Sequence, residues 1–190
     1  MEQQAEVLFT AAEIQERVRA LGAAITKDYA GRDPILVSVL KGAAIFVADL
    51  MAAIGVKARI DFMSISSYGS DKQPSGVVRI MKDLDMDVAG QDLIVVEDIV
   101  DTGLTLTYLL SVLQARDPAS IEVCTLLDKS IRRITPLDLK YVGFDCPDRF
   151  VVGYGLDIAE RFRNLPDILA VEDPTALAED PSPLVPFLRA

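Results

Sequence analysis

The feature that most constrains the fold is an alternation of short Val- and Ile-rich runs with segments of helical period. Residues 35–40 and 92–96 are apolar and β-branched, which is typical of buried strands, and residues 43–54 and 105–115 follow them with a helical pattern. This alternation predicts an α/β fold with a mainly parallel, twisted sheet and helices on both faces. In such sheets, ligands bind beyond the carboxyl ends of the strands.

Other segments complete this predicted fold. Thr10 and Glu13 have the spacing of a capping box, and they open an amphipathic helix that reaches Gly31. The polar residues 69–76 predict a mobile loop, residues 83–91 an acidic surface turn, and the Pro-rich residues 172–190 a loosely packed tail. Further strands are predicted at residues 58–68, 77–81, 121–127, 141–144, 150–154 and 168–171.

Composition excludes several classes of function. A length of 190 residues suits one domain, and a net charge of −10 disfavours nucleic acid and anionic membranes as partners. The N-terminus lacks a leader pattern and no apolar run is long enough to span a membrane, so we expect a cytoplasmic protein. The absence of histidine removes every His-dependent mechanism. Any metal would therefore have oxygen ligands, which favours Mg²⁺, and Cys124 and Cys146 are expected to be buried thiols.

The chemistry concentrates in residues 95–105, Val-Val-Glu-Asp-Ile-Val-Asp-Thr-Gly-Leu-Thr. Glu97 and Asp98 follow a buried strand, so they must face solvent, a metal or a polyhydroxylated ligand. Residues 101–105 lead into a helix whose N–H groups and hydroxyls can hold a phosphate. Taken singly, an exposed strand end and an ordinary N-cap explain these features. The combination is more restrictive, and it is neither a P-loop nor a dinucleotide fingerprint.

This segment resembles the phosphoribosyl pyrophosphate signature of the type I phosphoribosyltransferases. The resemblance implies that Glu97 and Asp98 hold the ribose diol with help from a metal. Leu104 replaces a lysine that some relatives carry, which leaves the backbone N–H groups as the phosphate contact. The residues implied around the 5′-phosphate are Asp101, Thr102, Gly103, Leu104 and Thr105. Asp101 is also the implied base for the purine proton; its place at a helix start equally suits a capping role, and both roles can hold.

Other segments narrow the resemblance to the hypoxanthine-guanine phosphoribosyltransferase family. Residues 39–43, Val-Leu-Lys-Gly-Ala, resemble its pyrophosphate loop, so Lys41 and Gly42 would contact pyrophosphate and the Leu40–Lys41 peptide would be cis. Residues 66–70 resemble its lid, in which Ser67 and Tyr68 would close over pyrophosphate.

The base site is implied by Leu-Leu-Asp-Lys at residues 126–129 and by residues 144–163. Lys129 would read the purine O6, Phe150 would stack on the ring, and Val151 would offer backbone groups. Asp157 would lie near the base edge and a metal, and Arg163 would reach pyrophosphate. The resemblance implies a contact of Arg133 on the pyrophosphate side less strongly. Residues 129–133, Lys-Ser-Ile-Arg-Arg, depart there from the Lys-Arg-Thr-Pro-Arg pattern of the human-type enzymes.

The resemblance runs from about residue 7 to about residue 171. It implies one domain over residues 1–171, with a small hood from the N-terminal segment and the region after about 145, and a separate tail at 172–190. It also implies transfer of phosphoribose to a 6-oxopurine, a homodimer or homotetramer, and Mg²⁺. The implied metal-binding residues are Glu97, Asp98 and Asp157.

Two alternatives stay open at this point. A regulator with the same fold would use the phosphate loop only to sense nucleotide or RNA, although the acidic charge and the Lys129 and Phe150 segments count against it. An enzyme for orotate, uracil or adenine would catalyse the same transfer to another base. Without the resemblance, Phe150 would be a core residue, Arg163 a surface residue and Tyr68 an ordinary strand-end tyrosine.

Overall fold

A six-stranded sheet and a three-stranded sheet form the framework of the protein. The structure, a computed structural model, describes residues 4–68 and 77–188, with only the backbone at 66–68 and 77–78. The strands are β1 (Ala5–Phe9), β2 (Ile35–Leu40), β3 (Arg59–Tyr68), β4 (Val77–Lys82), β5 (Asp92–Val100), β6 (Ser120–Asp128), β7 (Tyr141–Asp145), β8 (Phe150–Val152) and β9 (Ile168–Val171). The α-helices are α1 (Ala11–Asp28), α2 (Ala44–Ala53), α3 (Leu104–Gln114) and α4 (Pro174–Glu179).

The large sheet has the strand order β4-β3-β2-β5-β6-β7. Strands β3, β2, β5, β6 and β7 pair in parallel, and β4 pairs with β3 in antiparallel. The prediction of a mainly parallel sheet is therefore confirmed. Because the strands run in parallel, the residues that follow β2, β5 and β6 lie at the same edge of the sheet.

The period of two along each strand explains why helices cover both faces. In β5, Leu93 and Val95 point into an apolar cluster with α3, whereas Ile94 and Val96 point into a cluster with α1 and α2. All four side chains are fully buried. The helix residues that pack against this sheet are Leu106, Leu109 and Leu113 of α3, Ile14 and Val18 of α1, and Phe46 and Leu50 of α2. Burial of each such side chain stabilises the fold by roughly 1.5–3 kcal/mol.

The three-stranded sheet has the order β1-β9-β8 and is antiparallel. It joins the N-terminal segment to two later strands and rests on its own apolar cluster. The expectation of a loosely packed tail is wrong. The tail forms α4 and a 3₁₀ segment, Ser182–Phe187, and it packs because Leu177 and Leu184 are buried in that cluster.

Three strands differ from the sequence expectation. Strand β5 extends to Val100, so the acidic pair lies inside the strand rather than after it. Strand β8 ends at Val152 because Gly153 and Tyr154 take positive φ angles of 107° and 49°. Strand β1 was not predicted. Among the residues that the structure describes, none of the helices is both long and apolar enough to cross a membrane.

Candidate active site

A cavity of about 680 Å³ opens where the ends of β5 and β6 face the small sheet. Five residues that the sequence assigned to the catalytic or purine site line it: Asp101, Lys129, Phe150, Val151 and Asp157. They come from three separate stretches of the chain, which the parallel topology brings together. The other lining residues are Ile99, Arg132, Asp148, Arg149, Leu156, Val171, Glu172 and Pro174.

Lys129 is the most informative side chain in this cavity. It follows β6, where its N–H donates to the Val100 carbonyl at 2.9 Å, and the residue is only 6% exposed. None of the ion pairs within residues 4–68 and 77–188 involves Lys129. The remaining exposed part of this residue faces the cavity, where its ammonium gains from an acceptor. The cavity therefore presents a hydrogen-bond donor that a ligand carbonyl can satisfy.

The small sheet supplies the opposite wall. Phe150 is a large aromatic side chain that remains 40% exposed at the cavity, while the neighbouring Val151 is buried. Strand β8 is an edge strand of its sheet, so its outer backbone groups do not pair within that sheet. An exposed ring beside unpaired backbone groups suits a flat heterocycle, which can stack on the ring and hydrogen-bond along its edge.

Residues 101–105 form the phosphate loop, and all of them except Leu104 line a second cavity of about 230 Å³ that Glu97 also lines. Helix α3 begins at Leu104, and its N-cap is Gly103 with a φ of 84° and no side-chain cap. The N-cap is therefore neither Asp nor Thr, although the Thr102 Oγ1 accepts a hydrogen bond from the Leu104 N–H at 3.4 Å. Thr105 and Leu106 in the first turn of α3 line this cavity, and the start of a helix favours a bound phosphate.

Glu97 is buried and Asp98 is half-buried, and both lie inside β5, so the alternative of an exposed strand end is wrong. Burial, and then the neighbouring Asp98, raises the pKa of Glu97 well above its ordinary value. Burial raises the pKa of Asp98 to about 6, opposed by the Ile99 N–H, which donates to its Oδ1 at 2.8 Å. These carboxylates are costly to ionise unless a cation or hydroxyl donors compensate them.

Three of the residues assigned to pyrophosphate, Lys41, Gly42 and Arg163, lie near the end of β2. The Leu40–Lys41 peptide is cis, so this prediction is confirmed. The Lys41 Nζ lies 2.9 Å from the Glu160 Oε2, and the Arg163 guanidinium lies 2.7 Å from the Asp157 Oδ1 and 3.4 Å from that same Glu160 oxygen. Gly42 packs against Asp98 so closely that an added Cβ would lie 1.6 Å from the Asp98 Oδ2.

Comparison with known proteins identifies the family. Residues 5–159 match the phosphoribosyl transferase domain. The chain belongs to the phosphoribosyl transferase family. It is 53% identical to a hypoxanthine-guanine phosphoribosyltransferase of Mycobacterium avium over 165 residues, which cover 84% of this chain and 81% of that one. The corresponding enzyme of Bacillus subtilis is 49% identical over 163 residues, covering 86% and 91%. The fold is similar to a hypoxanthine phosphoribosyltransferase from Staphylococcus aureus, with a TM-score of 0.85, 46% identity, and coverage of 88% and 91%.

The remaining sequence assignments are the phosphate-loop residue Leu104, the pyrophosphate-side residue Arg133 and the two lid residues. Leu104 is 47% exposed in the first turn of α3. Arg133, expected toward pyrophosphate, instead contacts Asp128 and donates from its Nε to the Asp101 carbonyl at 3.1 Å, so it braces the phosphate loop. The side chains of Ser67 and Tyr68, and residues 69–76 beyond them, lie outside the described part of the chain.

Sequence reasoning also missed several residues at the site. Arg132 lies at the cavity, with its Nε 3.3 Å from the Asp101 Oδ1 and its guanidinium 3.5 Å from the Asp148 Oδ1. Arg149 bridges Glu6 and Glu172 across the small sheet. The available signals were the paired arginines 132 and 133 after Lys129, and the place of Glu160 between two assigned residues, Asp157 and Arg163. Neither signal identifies the ion-pair partners of these residues unless the fold is known.

Proposed function

We propose that this protein transfers the 5-phosphoribosyl group from phosphoribosyl pyrophosphate to hypoxanthine and guanine, which yields IMP or GMP and pyrophosphate in purine salvage. The observation that carries this proposal is the buried Lys129 in the large cavity. An ammonium offers donors only, so it pairs with the O6 carbonyl of a 6-oxopurine and not with the amino group of adenine. The relatives named above carry hypoxanthine or guanine in their names, which supports the same substrate class.

The rest of the cavity fits a purine. Phe150 stacks on the ring, and backbone groups near Val151 hydrogen-bond its edge. Asp101 lines both this cavity and the smaller one at the phosphate loop, so its carboxylate stands between the base and the 5′-phosphate. In the reaction, the bond from the ribose C1′ to a pyrophosphate oxygen breaks, the bond from C1′ to a purine nitrogen forms, and the purine proton passes to Asp101.

The phosphoribosyl pyrophosphate would lie along the edge of the large sheet. Its 5′-phosphate binds the N–H groups of residues 101–105, and its ribose hydroxyls donate to Glu97 and Asp98. Its pyrophosphate binds near Lys41, Gly42 and Arg163, whose two cations stabilise the charge that develops on the leaving group. Ser67 and Tyr68 would complete a lid that excludes water.

Mg²⁺ is the cation that the donor set fits best, with one or two of the carboxylates of Asp157, Glu97 and Asp98 as its candidate protein ligands. All three offer carboxylate oxygens, and the chain contains no histidine. Among the described residues, no three acidic or cysteine side chains converge on one point. This suits a cation that usually binds one or two carboxylates together with substrate phosphates and water. When bound, Mg²⁺ would neutralise the charge of the departing pyrophosphate.

The direct test is to incubate the purified protein with phosphoribosyl pyrophosphate, Mg²⁺ and, in turn, hypoxanthine, guanine, xanthine, adenine, uracil and orotate, and to separate the nucleotide products. We expect IMP and GMP. Formation of AMP, UMP or OMP alone would assign a different base. Binding of RNA without any nucleotide product would instead indicate a regulator of the same fold.

We also propose a homodimer or homotetramer in the cytoplasm. Ile131 and Ile134 are 76% and 66% exposed beside the cavity-forming loops, and they are apolar side chains that a subunit interface would cover. Cys124 and Cys146 are free, buried thiols, which suits a reducing compartment. Light scattering after size-exclusion chromatography measures the oligomer, and fractionation of the source cells measures the compartment.

A further inference from the structure

Glu160 lies between the two cations that the proposed function assigns to pyrophosphate. Its Oε2 accepts a hydrogen bond from the Lys41 Nζ at 2.9 Å and lies 3.4 Å from the Arg163 guanidinium. Lys41 follows β2 in the large sheet, whereas Arg163 lies between β8 and β9 of the small sheet. One carboxylate oxygen therefore joins the two halves of the pyrophosphate site.

The backbone that carries Glu160 is strained. Ala159, Glu160 and Phe162 have φ angles of 50°, 62° and 66°, in the left-handed region that side chains other than glycine rarely adopt. Two hydrogen bonds between Ile158 and Arg161 close the turn, and the Glu160 N–H donates to the Asp157 Oδ2 at 2.8 Å. This conformation directs the Glu160 side chain back toward Lys41 and Arg163, where pyrophosphate is expected.

The contacts of Glu160 with Lys41 and Arg163 favour its ionised form, yet an anionic ligand can replace them. The hydrogen bond from Lys41, followed by that from Arg163, holds the pKa of Glu160 below its ordinary value, so the carboxylate is ionised at neutral pH. Both Lys41 and Glu160 have side chains that are 67% exposed. Ion pairs at such exposure are screened by water and contribute little to stability. A ligand with several anionic oxygens can therefore replace this single carboxylate.

We propose that Glu160 is an internal counter-anion of the pyrophosphate site: its carboxylate occupies the place of a pyrophosphate oxygen between Lys41 and Arg163, and bound pyrophosphate displaces it. This inference rests on the proposed function, because that function identifies Lys41 and Arg163 as pyrophosphate ligands. Glu160 lowers the affinity for pyrophosphate in two ways, by competing for the same cations and by repelling the bound anion. It thereby speeds release of the leaving group after transfer.

The experiment is titration calorimetry of Mg²⁺-pyrophosphate into the wild-type protein, Glu160→Gln and Glu160→Asn. Glutamine keeps the size of the side chain without its charge, and asparagine tolerates a left-handed backbone better than most residues. We expect both variants to bind pyrophosphate roughly ten-fold more tightly, since one unit charge about 4 Å away in water alters the affinity by this order. The difference should shrink in 1 M salt, where the screening length falls to about 3 Å.

Glu179→Gln is the matched control, because it removes the same charge from an exposed position in α4. We expect it to change the pyrophosphate affinity less than about two-fold, because it is an exposed, screened charge that makes no ion pair with Lys41 or Arg163 among the described residues. Unchanged affinity in both Glu160 variants would overturn the inference. Weaker binding would also overturn it, because Glu160 would then hold Lys41 and Arg163 in place for pyrophosphate. If the wild-type protein binds neither pyrophosphate nor phosphoribosyl pyrophosphate, the proposed function fails together with this inference.

Discussion

Replacing Gly42 by alanine tests whether the ribose and pyrophosphate sites depend on the close packing of the loop after β2 against Asp98. The added Cβ would lie 1.6 Å from the Asp98 Oδ2 and 2.6 Å from its Cγ. Atoms cannot approach this closely, so either the loop or the carboxylate must move. Asp98 is largely enclosed, and its Oδ1 accepts a hydrogen bond from the Ile99 N–H at 2.8 Å. Moving the carboxylate therefore breaks a short contact in a packed environment.

The magnitude follows from overpacking. Insertion of one methyl group into a well-packed region costs about 1–3 kcal/mol. For a domain of this length, each kcal/mol lowers Tm by roughly 2–4 °C. The affinity for phosphoribosyl pyrophosphate should fall at least about ten-fold, because Lys41 and Asp98 would both be displaced from their positions around the ligand.

The assay is thermal denaturation together with calorimetric titration of phosphoribosyl pyrophosphate. Gly55→Ala is the matched control, because its Cβ would approach only the Thr26 side chain, no closer than 3.1 Å, and Thr26 lies outside the residues assigned to the site. We expect the control to change the affinity less than two-fold. Wild-type affinity in Gly42→Ala would refute the reasoning, since it would show that the site does not depend on this packing.

Three further predictions concern the chemistry of the site. Asp101→Asn should lower kcat roughly 10²-fold or more and leave the affinity for phosphoribosyl pyrophosphate nearly unchanged, because asparagine keeps the size but cannot take the proton; a loss of affinity at constant kcat would make Asp101 a phosphate-loop residue only. EDTA should abolish turnover, and Mg²⁺ or Mn²⁺ should restore it; full turnover in EDTA would contradict a metal requirement. The ligand-free protein should become more stable as pH falls from 7 toward 5, because the pKa of Asp98 is about 6 when folded, against 3.8 ordinarily, so the folded state binds the proton more tightly. The gain between pH 7 and pH 5 amounts to about 1 kcal/mol, and the full value of about 3 kcal/mol is reached only below the ordinary pKa of 3.8; Asp98→Asn should flatten this part of a Tm-against-pH curve.

The sequence predicts the large sheet well because its signals are local. Each buried element can be predicted from its own residues: β2 and β5 from their apolar runs, and α1 and α3 from their helical period. In β5, the successive residues Leu93 and Ile94 pack in the clusters on opposite faces of the sheet. The residues of the candidate site were predicted through the family resemblance rather than from such local signals. The parallel topology explains why they meet, because Asp101 and Lys129 directly follow β5 and β6, whose carboxyl ends lie at one edge of the sheet.

The parts that sequence reasoning missed depend on contacts between distant segments. Strand β1 exists because it pairs with β9 at the other end of the chain, as in the pairing of Val7 with Leu169. The tail packs because Leu177 and Leu184 reach a cluster formed by that same sheet. The position of Glu160 depends on left-handed backbone angles at residues other than glycine, and such angles cannot be predicted from the residue types there. Such features need the fold before their partners can be named.

The most direct test of the account is the base preference of Lys129→Gln. The measurement is kcat/KM for hypoxanthine, guanine and adenine in the wild-type protein and in the variant. We expect the wild-type protein to prefer hypoxanthine over adenine by a ratio on the order of 10⁴, because adenine leaves the buried donor unpaired. Glutamine offers both a donor and an acceptor, so the variant should lose kcat/KM for hypoxanthine and narrow its advantage over adenine. If the wild-type protein uses adenine as well as hypoxanthine, or the substitution leaves all three values unchanged, Lys129 does not read O6 and the 6-oxopurine assignment is contradicted.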